Sequence, residues 1–270
     1  MVELLVVIAM IAILAALLLP ALVKARAKAQ AIACLSNTRQ LSSAWQLYAT
    51  DHNDLLPYNV ELFPSVDGIG LAAATNWASG ALNWGLSPDN TNTATLTEAS
   101  LGPYVGKAAG IYRCPSDRVL SKVQRDAGWN ERVRSYSMNA MVGNAGDAMA
   151  GDHNKNNPDY VQFFKLSAIP HPEEIFAFLD EHPDSIGDGY FKNRANTNQW
   201  LDLPASYHNG AAAFSFSDGH SELHRWKNES TRVPAVPGLA MLPRLINKKE
   251  AADYYWVVYR MSVARAGENY

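Results

Sequence analysis

Cysteine is almost absent from this sequence. Among 270 residues only Cys34 and Cys114 carry thiols, and they form no CxxC pair. Two cysteines exclude a zinc site built from four of them. Charge is scarce too: charged residues make up 18% of the chain and the formal net charge is −3. Neither sign is clustered, so nothing in the electrostatics points to nucleic acid as a partner. No G-x-S-x-G, no H-E-x-x-H and no glycine-rich phosphate loop occurs, and the chain is not read as an enzyme. There is no internal repeat and no low-complexity tract.

What is plentiful is apolar and aromatic: seven Trp, twelve Tyr, and an oily start. From Val2 to Leu19 the sequence reads VELLVVIAMIAILAALLL, eighteen residues with one charge, Glu3. As a helix this run is about 27 Å long, close to the hydrocarbon thickness of a bilayer. Nothing basic precedes it and no boundary follows it, since the chain runs through Pro20 into a stretch that keeps helical character, which argues against a signal peptide. A plain anchor leaves Glu3 unexplained, because a carboxylate beside lipid costs free energy. Lys24, Arg26 and Lys28 follow the run. The positive-inside tendency alone would put that end in the cytoplasm, a conflict that a basic leader before Met1 removes.

Helical character continues to about Thr50, where DHNDLLP supplies breakers. On a helical wheel Cys34, Leu41, Trp45 and Tyr48 share one side, with Asn37 and Ala44 at its edge. Ser36, Arg39, Ser43, Gln46 and Thr50 share the other, with Ile32 and Leu47 as exceptions. This predicts an amphipathic half-helix docked by one face. The chain divides into a helix over 1–52, its 1–22 part suited to a membrane or filament core and its 23–52 part amphipathic, and a β-rich head over 53–270. Residues 58–105 are rich in Gly, Asn, Thr and Trp and read as a loop-rich insert. SYSMNAMVG, IFAFLDEH and AAAFSFSDGHSELHRW read as strands. The expected fold class is α+β: a long N-terminal helix packed on an antiparallel β-sheet head.

The run MVELLVVIAMIAILAALLLPAL closely resembles the prepilin-type cleavage and methylation segment, in which a basic leader ends in G-F-T-L-V-E-L-L-V-V-I-A. Met1 stands where that family has leucine. A second element agrees: His208, nine residues, then Asp218-Gly219, as in the H-X9-DG element of bacterial prepilin-like proteins. CLSNTRQL, YRCPSD, FLDEHPDSIGDGYF, DLPASYHNG and DGHSELHRW are similar to the same group. The resemblance implies a type IV pilin-like or type II secretion pseudopilin subunit. Its single-pass helix would sit in a bacterial inner membrane with a periplasmic head, and later in a helical filament with copies of itself and other pseudopilins. It implies a leader upstream of Met1 cut by a prepilin peptidase. It also implies that Glu3 pairs with the N-terminal amine of a neighbouring subunit, since buried charges are tolerated only as pairs. The alternative is a minor or tip pseudopilin that binds a glycan or protein through the insert, with Trp77 and Trp84 as its ligand surface.

Export would favour a Cys34–Cys114 disulfide over two unrelated buried thiols, because Cys34 lies on the docked helix face. No cofactor is expected. Asp180, Glu181, His208, Asp218 and His220 gather near strand ends and form a candidate metal set. Its carboxylates suit calcium and its histidines suit zinc. The bland reading is a hairpin turn at Asp218-Gly219 braced by His208. Asp152-His153-Asn154-Lys155-Asn156 opens like an EF-hand. Asn157 and Phe163 stand where glycine and glutamate are needed, so at most a looser Ca2+ loop remains. Ser206 and Ser215 lie near His208 and Asp218 in sequence, but nothing singles out either as a nucleophile.

Overall fold

The computed structural model describes residues 2–61 and 75–265. The architecture is α+β. Helix α1 is a single element, Val2–Asp51, and it passes through Pro20. Pro20 has no N–H for the carbonyl of Ala16, yet the flanking Leu and Ala runs are strong helix formers and the helix continues. Its length is about 75 Å. Residues 6–29 of α1 are exposed along their whole circumference, Leu17 at 71%. This helix is long and apolar enough to cross a membrane.

From residue 31 onward the same helix is half buried. Ala31, Cys34, Thr38, Leu41, Trp45 and Ala49 are buried at three- and four-residue spacing, one face of a 3.6-residue helix. Ile32 and Leu47 remain exposed, as the wheel has them. Two positions differ from it. Tyr48 is only half buried and stacks on His52, ring centroids 3.8 Å apart. Gln46 is drawn to the head because its amide donates to the Ser217 carbonyl at 2.9 Å.

The described residues of the head form nine strands: β1 (Tyr136–Asn139), β2 (Met149–Ala150), β3 (His153–Asn154), β4 (Phe176–Asp180), β5 (Tyr190–Phe191), β6 (Gln199–Trp200), β7 (Ala211–Phe216), β8 (Ser221–Arg225) and β9 (Arg244–Leu245). Five of them form the main sheet, in the order β5-β1-β4-β7-β8. The expected antiparallel head needs one correction, since β5 pairs with β1 in parallel. The reason is directional. β1 runs against β4, so a chain that reverses after β4 travels with β1 and docks on its free edge. Strands β2 and β3 form a separate hairpin, and β6 and β9 pair elsewhere.

Alternation on β7 explains how the helix fits. Ala213 lies in the core that holds Trp45, Leu41, Trp77, Tyr112 and Phe178. Ala212, Phe214 and Phe216 lie in the second core, with Trp200, Trp226, Tyr254 and Val257. Small residues on the helix side let α1 approach, and large rings fill the other side. The second face is closed by a helix the sequence reading did not anticipate, Ala252–Val258. Within the insert, residues 62–74 lie outside the described residues. From residue 75 it is loop with short helical turns, as expected, but it is no mere surface excursion. Trp77, Leu96 and Leu101 plug the core beneath α1.

Candidate functional site

The H-X9-DG element spans one strand and its two ends. His208 sits in the turn that enters β7, and Asp218-Gly219 form the turn that leaves it for β8. The Gly219 N–H donates to the Phe216 carbonyl at 2.9 Å and Gly219 adopts φ +94°, a conformation open chiefly to glycine. The Asp218 carboxylate accepts from the His220 backbone N–H at 3.0 Å and contacts its ring at 2.6 Å. His208 does not brace this turn, because it stands at the other end of the strand. Helix α1 lies along the strand and is fixed near both ends. Ser42 and Gln46 donate to the Phe216 and Ser217 carbonyls, and Cys34 lies beside His208.

At the His208 end four segments converge. Cys34 comes from α1, Cys114 follows the 3-10 turn Ala109–Tyr112, Asp180 ends β4, and His208 precedes β7. Their ligand atoms all lie within 4.8 Å of one another. His208 Nε2 is 3.3 Å from Cys114 Sγ and 3.3 Å from Asp180 Oδ2. Cys34 Sγ is 3.5 Å from Asp180 Oδ2 and receives a hydrogen bond from the Tyr136 hydroxyl at 3.2 Å. The Asp180 and His208 side chains are buried, as are both thiols.

Burial and crowding set the charges. Burial pushes the Asp180 carboxyl well above the carboxylate range, and the neighbouring Cys114 sulfur adds to this against the pull of His208. Burial also lifts the Cys34 thiol. For Cys114 burial acts upward, but hydrogen bonds from Cys34, His208 and the Ser116 backbone, with the His208 charge, bring it down to about 5. For His208 burial acts downward and is outweighed by Asp180 and Cys114, which raise it to about 10.

The cluster redistributes the expected sites. Cys34 and Cys114 do meet, but both thiols are free, so the disulfide expectation is corrected to a thiol pair shared with a carboxylate and an imidazole. Of the five residues expected to share a metal, Asp180 and His208 come together and three do not. Glu181, next along the chain, points to the opposite side of the extended backbone. Burial raises it to about 7, against Ser137, Ser185 and Arg134. Asp218 and His220 belong to the distant hairpin turn. The Asp152 loop is no better a calcium site: Arg265 pairs with Asp152, and the Asn154 side-chain oxygen accepts from the Asn156 backbone N–H at 2.9 Å.

Among the described residues the Cys34–Cys114–Asp180–His208 group is the sole cluster of three or more His, Cys, Asp or Glu ligands drawn together. The sequence reading missed both cysteines as partners of Asp180 and His208. The signal was present in CLSN, YRCPSD, FLDEH and YHNG, four short pieces that each contribute one ligand.

A nucleophile–base–acid relay does not fit this geometry. Such a relay needs the nucleophile on one ring nitrogen and the acid on the other. Here Cys114 and Asp180 both face Nε2, and Nδ1 has no hydrogen-bond partner. Ser206 donates to the Val233 carbonyl, and Ser215 lies far along β7. Trp77 is 0% exposed, with its N–H on Asn59 Oδ1. Trp84 is half buried under the Arg132 guanidinium, 4.3 Å from its ring centroid. The expected Trp77–Trp84 ligand surface is therefore corrected to core and cation–π packing. Compared with known protein families, curated proteins and solved structures, the chain matches none.

Proposed function

We propose that this chain is a pilin-like assembly subunit, held in a membrane by the first half of α1 and built into a filament through that same segment. The observation that carries the reading is the division of α1. Its second half is docked on the head by one face, whereas thirteen large apolar side chains from Leu4 to Val23 stay exposed. Burying such side chains is worth about 1.5–3 kcal/mol each, so leaving all of them in water would cost about 20–40 kcal/mol. That exceeds the roughly 5–15 kcal/mol by which a domain is stable. The segment therefore requires an apolar surrounding, which lipid or a bundle of like helices supplies.

Glu3, in the first turn, gives the exchange between the two a direction. A lone carboxylate is costly in lipid, and a cation from a neighbouring subunit offsets that cost once both are buried together. The docked half passes force from that bundle to a rigid head. Trp77 and Trp84 are spent on packing, so these two rings do not favour a ligand-binding tip over a structural subunit.

The test is fractionation of cells that express the full chain. A membrane-bound pool and a pool released by shearing as filaments are expected. Recovery as a freely soluble monomer would contradict the proposal.

A further inference from the structure

We infer that Cys34, Cys114, Asp180 and His208 form a closed, structural zinc site that fastens the docked half of α1 to the head. This inference is independent of filament assembly.

The geometry is the first ground. Zinc–ligand bonds of about 2.0–2.3 Å hold the ligand atoms of a tetrahedron about 3.3–3.8 Å apart. The observed separations are 3.3 Å from His208 Nε2 to Cys114 Sγ, 3.3 Å from Nε2 to Asp180 Oδ2, and 3.5 Å from Cys34 Sγ to Oδ2. The other three pairs lie within 4.8 Å, so small side-chain movements close the four ligand atoms around an ion.

The second ground is the direction of the imidazole. One nitrogen, Nε2, faces two other ligands at once. A single N–H serves one acceptor well and two poorly, whereas a lone pair aimed at a cation between them satisfies all three. The third ground is burial: the Asp180 and His208 side chains and both thiols are closed off from solvent, and polar atoms gathered in the interior are costly unless something satisfies them together.

The ligand chemistry selects the ion. Two sulfurs, one imidazole and one carboxylate suit zinc, while calcium takes six or more oxygens. With four protein ligands and no open position the site is structural, not catalytic. Surrounding groups support the sulfurs: the Tyr136 hydroxyl donates to Cys34 and the Ser116 backbone to Cys114. Each ligand lies on a different segment, so one ion would join the helix, the segment after the 3-10 turn Ala109–Tyr112, β4 and the entry to β7. A disulfide would join only the first two, and would leave Asp180 and His208 without their sulfur contacts.

The experiment uses the full chain purified in detergent without chelator. Metal content is measured by mass spectrometry, free thiols are counted after unfolding, and Co2+ replaces zinc as a spectroscopic probe. The expected result is about one zinc per chain, both thiols reduced, and a cobalt spectrum with sulfur-to-metal charge transfer. Tyr136→Phe should weaken zinc binding about 10–100-fold, as loss of an outer partner does. Cys114→Ser and His208→Ala should weaken it further. Should those two fail to fold, His208→Cys keeps four ligands and should retain one zinc while intensifying the cobalt charge-transfer band. A Cys34–Cys114 disulfide in the isolated protein would overturn the inference. So would reduced thiols that take up no added zinc, or zinc content unchanged in Cys34→Ser/Cys114→Ser.

Discussion

Gln46 and Gly219 meet where the helix crosses the β7–β8 turn: the Gln46 amide donates to the Ser217 carbonyl at 2.9 Å, and a Cβ on Gly219 would lie 3.2 Å from Gln46 Nε2. The glycine is therefore favoured twice, once for its φ of +94° and once because an added Cβ would press on the Gln46 side chain. A motif that reads in one dimension as His, nine residues, Asp-Gly becomes a strand whose two ends are both pinned to α1.

Gly219→Ala should destabilise the chain by about 1–3 kcal/mol through backbone strain, with a further loss from displacing Gln46. Gly128 is the control, with φ +78° and nothing within 4 Å of an added Cβ. Gly128→Ala should show the strain alone. In a Gln46→Ala background the Gly219→Ala loss should shrink to the Gly128→Ala value, read from denaturant midpoints as a double-mutant cycle. An unchanged loss would mean that the helix contact is irrelevant.

Trp77 is a keystone of the core under α1, 5.1 Å from Phe178 and 6.2 Å from Tyr112 between ring centroids. Trp77→Ala should cost about 3–5 kcal/mol. Trp84→Ala should cost less, because that ring is only half buried. Equal and small effects in thermal unfolding would return Trp77 to the surface and revive a binding role for the insert.

His224 makes stability depend on pH. Burial lowers it from 6.5 to about 4, and the Arg260 and Lys227 charges push it the same way against Asp253. Its ring stacks on Trp256 with centroids 3.5 Å apart. Above pH 6.5 the ring is neutral folded and unfolded, and its contribution is fully present. As pH falls from 6.5 toward about 4 the unfolded chain takes the proton first, so this stability is lost across that window. The denaturation midpoint should fall accordingly, and His224→Phe should flatten that part of the profile. A profile identical to that of the unmodified chain would refute the assignment.

Much of the fold was legible because it follows from periodicity. Apolar residues all round and then a single buried stripe give α1 its two halves, although the buried stripe begins near residue 31 and not at the expected 23, and β1, β4, β7 and β8 lie within the runs SYSMNAMVG, IFAFLDEH and AAAFSFSDGHSELHRW. Two-residue strands carry no period. That is why β5 and its parallel pairing, β6 and β9 were invisible. The candidate site was half legible: Asp180 and His208 were singled out, but Cys34 and Cys114 were read as partners of each other alone. Ligands brought together from four segments depend on tertiary geometry, which no local pattern encodes. Trp77 was misplaced for the opposite reason, since a polar, glycine-rich neighbourhood concealed a core residue.

The central claim is that the exposed half of α1 assembles and that Glu3 directs the assembly. Its most direct measurement compares the membrane pool with the sheared-filament pool for the unmodified chain, Glu3→Gln and Glu3→Ala. The account expects both variants to stay in the membrane at normal abundance and to vanish from the filament pool. Filaments formed by Glu3→Ala in undiminished amount would contradict it.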